Sequence, residues 1–256
     1  VEKKKIFIWV ALVAIIAVIV FQLLTNGKEE DITIDKDFSN VEVESDNAEV
    51  RLMPIEGDEA LIELDNNENN RYKLDVKVKG NTLEIDVERK GIRWFSFNFF
   101  SKSPLVTVGL PKNEYGEIKV ESDNGTILVS QLQLNELVAD ADNGEIIIKE
   151  VESKEMNVDT DNGDVVIEDS VGAIYGQSNN GKVTVITDSL DEPMDLETDN
   201  GQILVKTKGK SKNVQFDVKT DNGNIDIYGV STTEKVIGSG DIIIKLKSDN
   251  GNITVE

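Results

Sequence analysis

The sequence predicts an all-β fold, a single-stranded parallel β-helix or solenoid of about 18–22-residue coils, preceded by one N-terminal transmembrane helix. Three observations predict it. A motif of one small residue, then Asp/Asn-Asn-Gly/Ala, occurs eight times between Ser45 and Gly251. Apolar and polar residues alternate on both sides of each copy, and the chain opens with an apolar run, Ile6 to Leu24. Self-similarity at a fixed period marks stacked repeat architectures, and alternation marks half-buried strands.

The elements follow in order. Residues 1–5 read as a cytoplasmic stub and residues 6–24 as a transmembrane signal anchor. As a helix that run spans roughly 28 Å, close to the hydrocarbon thickness of a bilayer. Lys3, Lys4 and Lys5 precede it and Glu29, Glu30 and Asp31 follow, which holds the N-terminus inside and sends the rest outward. The run is longer than the apolar core of a signal peptide and ends without a small-residue cleavage site. Residues 25–31 are a linker.

Residues 32–115 read as an irregular N-terminal β cap. Within it, Tyr72–Val78 and Thr82–Val87 around Gly80-Asn81 form a hairpin, and repeat arrays need an atypical end. Residues 116–256 read as the regular repeats. Inward Ile118 and Val120 lead to Ser122, and the inward set resumes at Ile127 and Val129. The odd spacing flips the parity, so the chain turns a corner while its apolar face stays inward. Asn124-Gly125, Asn143-Gly144, Asn162-Gly163, Asn180-Gly181, Asn200-Gly201, Asn222-Gly223 and Asn250-Gly251 are the structural turns, where Asn-Gly is expected to supply positive φ. The small residue before each fits a crowded corner. Independent hairpins in an antiparallel sandwich would use the same signal, but the near-constant period favours stacked coils. The stretch after Gly238 fits no full coil, and a hairpin or truncated cap is expected there.

Composition narrows the function. The formal charge is −22, from 49 acidic and 27 basic residues, which argues against nucleic acid as a partner. With no Cys and no His, a Cys nucleophile, a Ser-His-Asp triad, a Cys/His zinc site and disulfides are excluded.

Three candidate sites arise. Asp123, Asp142, Asp161, Asp199 and Asp221 would line one edge about 5 Å apart, repelling by about 0.8 kcal/mol per pair in water, and Ca²⁺ would relieve this. Against it, Asn179 breaks the row, and Asp is an ordinary turn residue. The corner asparagines could stack as an amide ladder. The second candidate is Trp94, Phe95, Phe97, Phe99 and Phe100, five of the fourteen aromatics, flanked by Arg89, Lys90, Arg93 and Lys102. It reads either as a buried edge of the cap or as an exposed patch that docks a partner. The third is catalysis. The only arginines, at 51, 71, 89 and 93, lie outside the regular repeats. An abundance of carboxylates makes any single pair uninformative, and no catalytic residue or cofactor is expected.

The anchor, the strand Phe38-x-x-Val41-x-Val43-x-Ser45, the hairpin Gly80-Asn81-Thr82-Leu83-x-Ile85, the segment Val106-x-Val108-x-Leu110-Pro111-Lys112 and the serial Asp-Asn-Gly corners together resemble the bacterial putative-adhesin family of the cell envelope. Its membrane-anchored members include the LiaG-like proteins. The resemblance covers residues 32–256 and implies a β-solenoid, an envelope location and a link to envelope stress; it brings no catalytic residues. The expected function is binding, adhesion or scaffolding outside the membrane, with the bilayer and an envelope protein or glycan as partners. A glycan-active β-helix enzyme and a Ca²⁺-stabilised stalk are the alternatives.

Overall fold

The computed structural model describes residues 30–67, 70–90, 103–209 and 211–256, so both the expected N-terminal helix and the Trp94–Phe100 segment lie outside the described residues. In chain order the first strands are β1 (Glu30–Ile34), β2 (Asn40–Ser45), β3 (Glu49–Ile55), β4 (Ala60–Asp65), β5 (Tyr72–Lys79), β6 (Thr82–Arg89) and β7 (Leu105–Pro111). The middle of the chain supplies β8 (Glu114–Ser122), β9 (Ile127–Ser130), β10 (Gln133–Ala141), β11 (Ile146–Lys149), β12 (Glu152–Thr160), β13 (Val165–Glu168), β14 (Val171–Ser178) and β15 (Val183–Thr187). The last are β16 (Met194–Thr198), β17 (Ile203–Thr207), β18 (Val214–Asn222), β19 (Ile225–Ile227), β20 (Glu234–Ile237), β21 (Ile242–Asn250) and β22 (Ile253–Val255). Among the described residues there is no helix long and apolar enough to cross a membrane.

The strands assort into two eleven-stranded sheets, one of them β1-β4-β7-β3-β9-β11-β13-β15-β17-β22-β19, the other β20-β18-β21-β16-β14-β12-β10-β8-β2-β6-β5. From β8 to β17 each layer is one strand of each sheet, and each layer pairs in parallel with the next. Val120, Ala139 and Val158 are direct neighbours, as are Ile127, Ile146, Val165, Val183 and Ile203. These inward columns are fully buried and form one continuous core of small aliphatic side chains. Burial of like on like along every column keeps each inward set on the core face.

At both ends the order of layers in space departs from the order in the chain. The β2–β3 layer lies between β8–β9 and β6–β7, so the chain runs outward and then returns past it. The C-terminal β21–β22 layer inserts between β16–β17 and β18–β19. Residues 242–255 are therefore a full parallel layer, where the sequence pointed to a hairpin or truncated cap. The turn at Gly238–Asp241 instead leads out of β20, which runs antiparallel on the outer side of β18. Residues 30–111 supply two parallel layers together with β1, β4 and β5, which pair antiparallel and close that end. β5 and β6 form the expected hairpin around Gly80, whose φ is +65°. The outermost strand β5 carries Lys73, Lys77 and Lys79, paired with Asp75 and Glu84, and charge of this kind discourages edge-to-edge association.

The Asp-Asn-Gly corners use glycine for a reason other than the one expected. Among the described residues the positive-φ positions include none of the corner Asn or Gly. Each corner Gly instead lies against the carbonyl of the equivalent corner residue one layer away, Ala48 for Gly125 and a Gly for the others. A Cβ on Gly144 would stand 2.0 Å from the Gly125 oxygen, one on Gly163 1.9 Å from that of Gly144, and one on Gly251 1.6 Å from that of Gly201. Positive φ belongs to the opposite corner, at Gln131 (+57°), Glu150 (+53°) and Asp169 (+48°).

The small residue before each corner also does more than save space. Thr160 Oγ1 donates to Gly144 O at 3.0 Å, Ser178 Oγ to Gly163 O at 2.8 Å and Thr198 Oγ1 to Gly181 O at 2.9 Å. A buried carbonyl left without a donor costs about 1–3 kcal/mol, and these hydroxyls remove that cost layer by layer. The asparagines complete the corner. Asn124 Nδ2 donates to Asn47 Oδ1, Asn143 to Asn124, Asn162 to Asn143, Asn180 to Asn162 and Asn200 to Asn180, all at 3.0–3.1 Å. The ladder then runs through Asn250 to Asn222, so it records the inserted layer.

Two substitutions test this account by thermal or denaturant unfolding. Gly163→Ala forces the two backbones apart and is expected to cost more than about 3 kcal/mol. Ala141, the one non-hydroxyl member of the series, is the register partner of Thr160; Ala141→Ser is expected to place a donor toward the Gly125 carbonyl and gain about 0.5–1 kcal/mol. A neutral Gly163→Ala would overturn the close-approach explanation.

Candidate interaction surfaces

The corner aspartates follow the same stacking. Asp142 N–H donates to Ser122 O at 3.1 Å and Asp161 N–H to Ala141 O at 3.1 Å, so their backbones belong to the layer-to-layer ladder. Their side chains project outward and are exposed at Asp123, Asp142, Asp161, Asp199 and Asp221. Asp221 has Lys219 at 3.2 Å. Asn179, which interrupts the row, donates its amide to Asp161 Oδ1 at 2.6 Å and so replaces a repulsion by a hydrogen bond. The described residues bring together no group of three carboxylates able to hold a metal ion.

A stronger electrostatic feature lies two residues before the corner Asp, on the outward face of the sheet that contains β8. Asp75 is opposite Asp86, Asp86 beside Glu44, Glu44 beside Glu121, Glu121 beside Asp140 and Asp140 beside Asp159. At about 4.8 Å between parallel neighbours, these six carboxylates form an acidic track about 24 Å long. Its signal was present in the sequence: Glu44, Glu121, Asp140 and Asp159 each directly precede the small residue of a corner.

The track raises its own pKa values. Partial burial pushes Glu44, Asp86, Asp140 and Asp159 upward, and neighbouring carboxylates add to the effect: Glu42, Glu121 and Asp86 on Glu44, and Glu121, Asp142 and Asp161 on Asp140. Lys119, 2.7 Å from Glu121, is the cation set among them. At the end of the track Asp75 is held below its usual value by its hydrogen bond to Lys73.

The other surface feature is a cavity of about 410 Å³ at the opposite corner, where the chain returns from β7 to β8. Pro54, Pro111 and Leu132 give it an apolar floor. Its two carboxylates are occupied, Glu150 by Gln131 Nε2–H and Glu152 by Gln133 Nε2–H, both at 2.9 Å. No arginine lines it; Arg51 lies elsewhere, on Glu49 at 2.6 Å. Lys112 also lines it and is ion-paired with Glu56. The aromatic candidates Trp94, Phe95, Phe97, Phe99 and Phe100 fall in the connection from β6 to β7, outside the described residues. In the regular layers the matching connection is the Asp-Asn-Gly corner.

With this geometry in hand, comparison with known proteins gives the family. The model described as Toastrack DUF4097 matches residues 38–175 and again 127–256, so the chain belongs to that family. No curated protein matches the chain. Among solved structures, a "putative adhesin" from Bacteroides fragilis is 16% identical with a TM-score of 0.49, covering 90% of this chain and 98% of its own. A "putative cell adhesion protein" from Clostridium sporogenes is 12% identical with a TM-score of 0.41, covering 89% and 99%. A "putative lipid binding protein" from Parabacteroides distasonis is 13% identical with a TM-score of 0.36, covering 90% and 98%.

The acidic track predicts an unusual pH dependence. Carboxyls whose pKa is raised on folding destabilise the protein while ionised, and the penalty disappears as pH falls through the raised values toward the ordinary carboxylate range. The melting temperature should therefore rise as pH is lowered from 7 toward about 5. It should fall again below about 4, where Asp75, Glu84 and Asp241, all lowered on folding, take up protons. Asp140→Asn should raise the melting temperature at pH 7 by about 1–2 °C and flatten the rise. A melting temperature that only falls on acidification from pH 7 would count against the track as a source of strain.

Proposed function

We propose that this Toastrack DUF4097 protein is a binding or scaffold protein of the bacterial cell envelope, anchored by residues 6–24 with its β-stack outside the membrane. The observation that carries the reading is the apolar run Ile6–Leu24 behind Lys3, Lys4 and Lys5, followed within a few residues by β1. β1 is the outermost strand of its sheet, so the chain enters the stack at one end. An anchor there sets that end toward the bilayer, and a body of strongly negative charge is repelled from an anionic leaflet. The stack then stands away from the surface and carries its binding positions outward.

The protein works by binding, with no reaction of its own. The segment Trp94, Phe95, Phe97, Phe99 and Phe100 is the contact we assign to an envelope protein or glycan. It combines large aromatic side chains with the basic flanks Arg89, Lys90, Arg93 and Lys102 in an otherwise acidic chain. Aromatic and Arg anchors of this kind carry much of the energy of interfaces.

Because the chain contains no cysteine, a single Glu145→Cys reporter tests the topology. A membrane-impermeant maleimide should label it on intact cells, and labelling only after permeabilisation would refute the outward placement. Crosslinking in the same cells, with Trp94, Phe95 and Phe99 changed to Ser, tests the contact. Loss of the crosslinked partner with the β-sheet circular dichroism retained is the expected result. An unchanged crosslinking pattern would remove the segment from the interface.

A further inference from the structure

The C-terminal layer occupies a slot. Its neighbours on the two sides, β16–β17 and β18–β19, are consecutive in the chain, yet β21–β22 separates them. The chain leaves β17 at Thr207, passes over the position of the inserted layer and enters β18 at Val214; only later does it return to fill the gap. The return crosses the start of β18. A Cβ on Gly238 would stand 2.0 Å from Lys212 O. Asn213 clasps the crossing segment, donating from Nδ2 to Asp241 Oδ2 at 2.9 Å and accepting Asp241 N–H at 3.0 Å.

What fills the slot is generic. Asn250 Nδ2 donates to Asn200 Oδ1 at 3.1 Å and Ser248 Oγ to Gly201 O at 3.0 Å on one side. On the other, Asn222 Nδ2 donates to Asn250 Oδ1 at 2.9 Å and Thr220 Oγ1 to Gly251 O at 3.0 Å. These are the contacts that every layer makes with the next, so the slot recognises the motif and not the chain that carries it. The segment is reached through Gly238 and Gly240, at φ of +71° and +74°.

We propose that this slot is an exchange site for a second copy of the same chain, with residues 239–256 of one molecule filling the gap in another. Exchange of an identical element keeps every native contact and changes only the connection, which makes it a low-cost route to association. The partner is thus a strand pair bearing the small residue–Asp-Asn-Gly corner, and the surface that receives it is the pair of layer faces on either side.

The full chain permits a direct test. Glu197 and Lys247 are direct neighbours across the slot, on the outward face. Parallel neighbours at about 4.8 Å fall within the Cα range of a disulfide. Glu197→Cys and Lys247→Cys are made in separate molecules, mixed at high concentration and oxidised. A second pair, Asp195→Cys with Lys245→Cys, probes the same slot. The control is Val138→Cys mixed with Asn157→Cys, neighbours between two internal layers. Exchange predicts that both slot pairs yield at least about ten-fold more disulfide-linked heterodimer than the control. Heterodimer at the control level from both slot pairs would overturn the proposal.

Discussion

The structure depends on one close contact, the approach of each corner glycine to the carbonyl oxygen of the equivalent corner residue, Gly or Ala48, in the adjoining layer. A Cβ has no room there, with separations of 1.6–2.0 Å at Gly125, Gly144, Gly163, Gly181, Gly201, Gly223 and Gly251. Once these backbones touch, the layers cannot slip. At every glycine corner but that of Ala141 a hydroxyl is brought under a carbonyl of the adjoining layer, and the asparagine amide reaches the amide of that layer. Backbone contact, buried hydroxyl and amide ladder thus form one unit that sets register at every step. Among the described residues no buried side-chain nitrogen or oxygen lacks a partner, which is the condition for a polar seam to stabilise a core.

Zero-shift stacking has a cost as well as a benefit. It places identical sequence positions in columns, so inward Ile, Val and Leu pack on their own kind while outward acids face other acids. The track from Asp75 to Asp159 is the direct result. Beyond Asp159 the column continues through Gln177, Glu197, Lys247 and Lys219, so the strain is confined to one half of the stack. Where Asn179 takes the place of an aspartate in the adjacent row, the same geometry converts a repulsion into a hydrogen bond.

Much of this was legible in the sequence because it is local. The parity flip across each corner located the strands and their inward faces, and the β5–β6 hairpin followed from alternation around Gly80-Asn81. The order of layers at the two ends was not legible. Layers built on the same motif offer the same contacts, so nothing local states that Asn250 stacks on Asn200 and Asn222 on Asn250. Nor did a residue type announce the opposite corner, where Gln131, Glu150 and Asp169 take positive φ without glycine. The conformational reading of Asn-Gly failed for a related reason: a glycine required by a neighbouring backbone looks, in sequence, like one required by its own φ. The aromatic candidates in the β6–β7 connection have no local period to place them.

The same regularity bears on function. Catalysis needs unlike groups, an acid, a base and a charge stabiliser, to converge on one point. Columns in strict register do the opposite and repeat one residue type along a line. A stack of this kind is suited to extended contact with another molecule, or to holding something at a distance from a surface. Departures from the repeat are where a distinctive site can form. Here they lie at the ends: the β6–β7 connection with its aromatic residues, the return from β7 to β8 past the cavity, and the slot filled by the C-terminal layer. The shared motif makes the layers of the body interchangeable, so under the proposed binding role recognition falls to the parts that break the repeat.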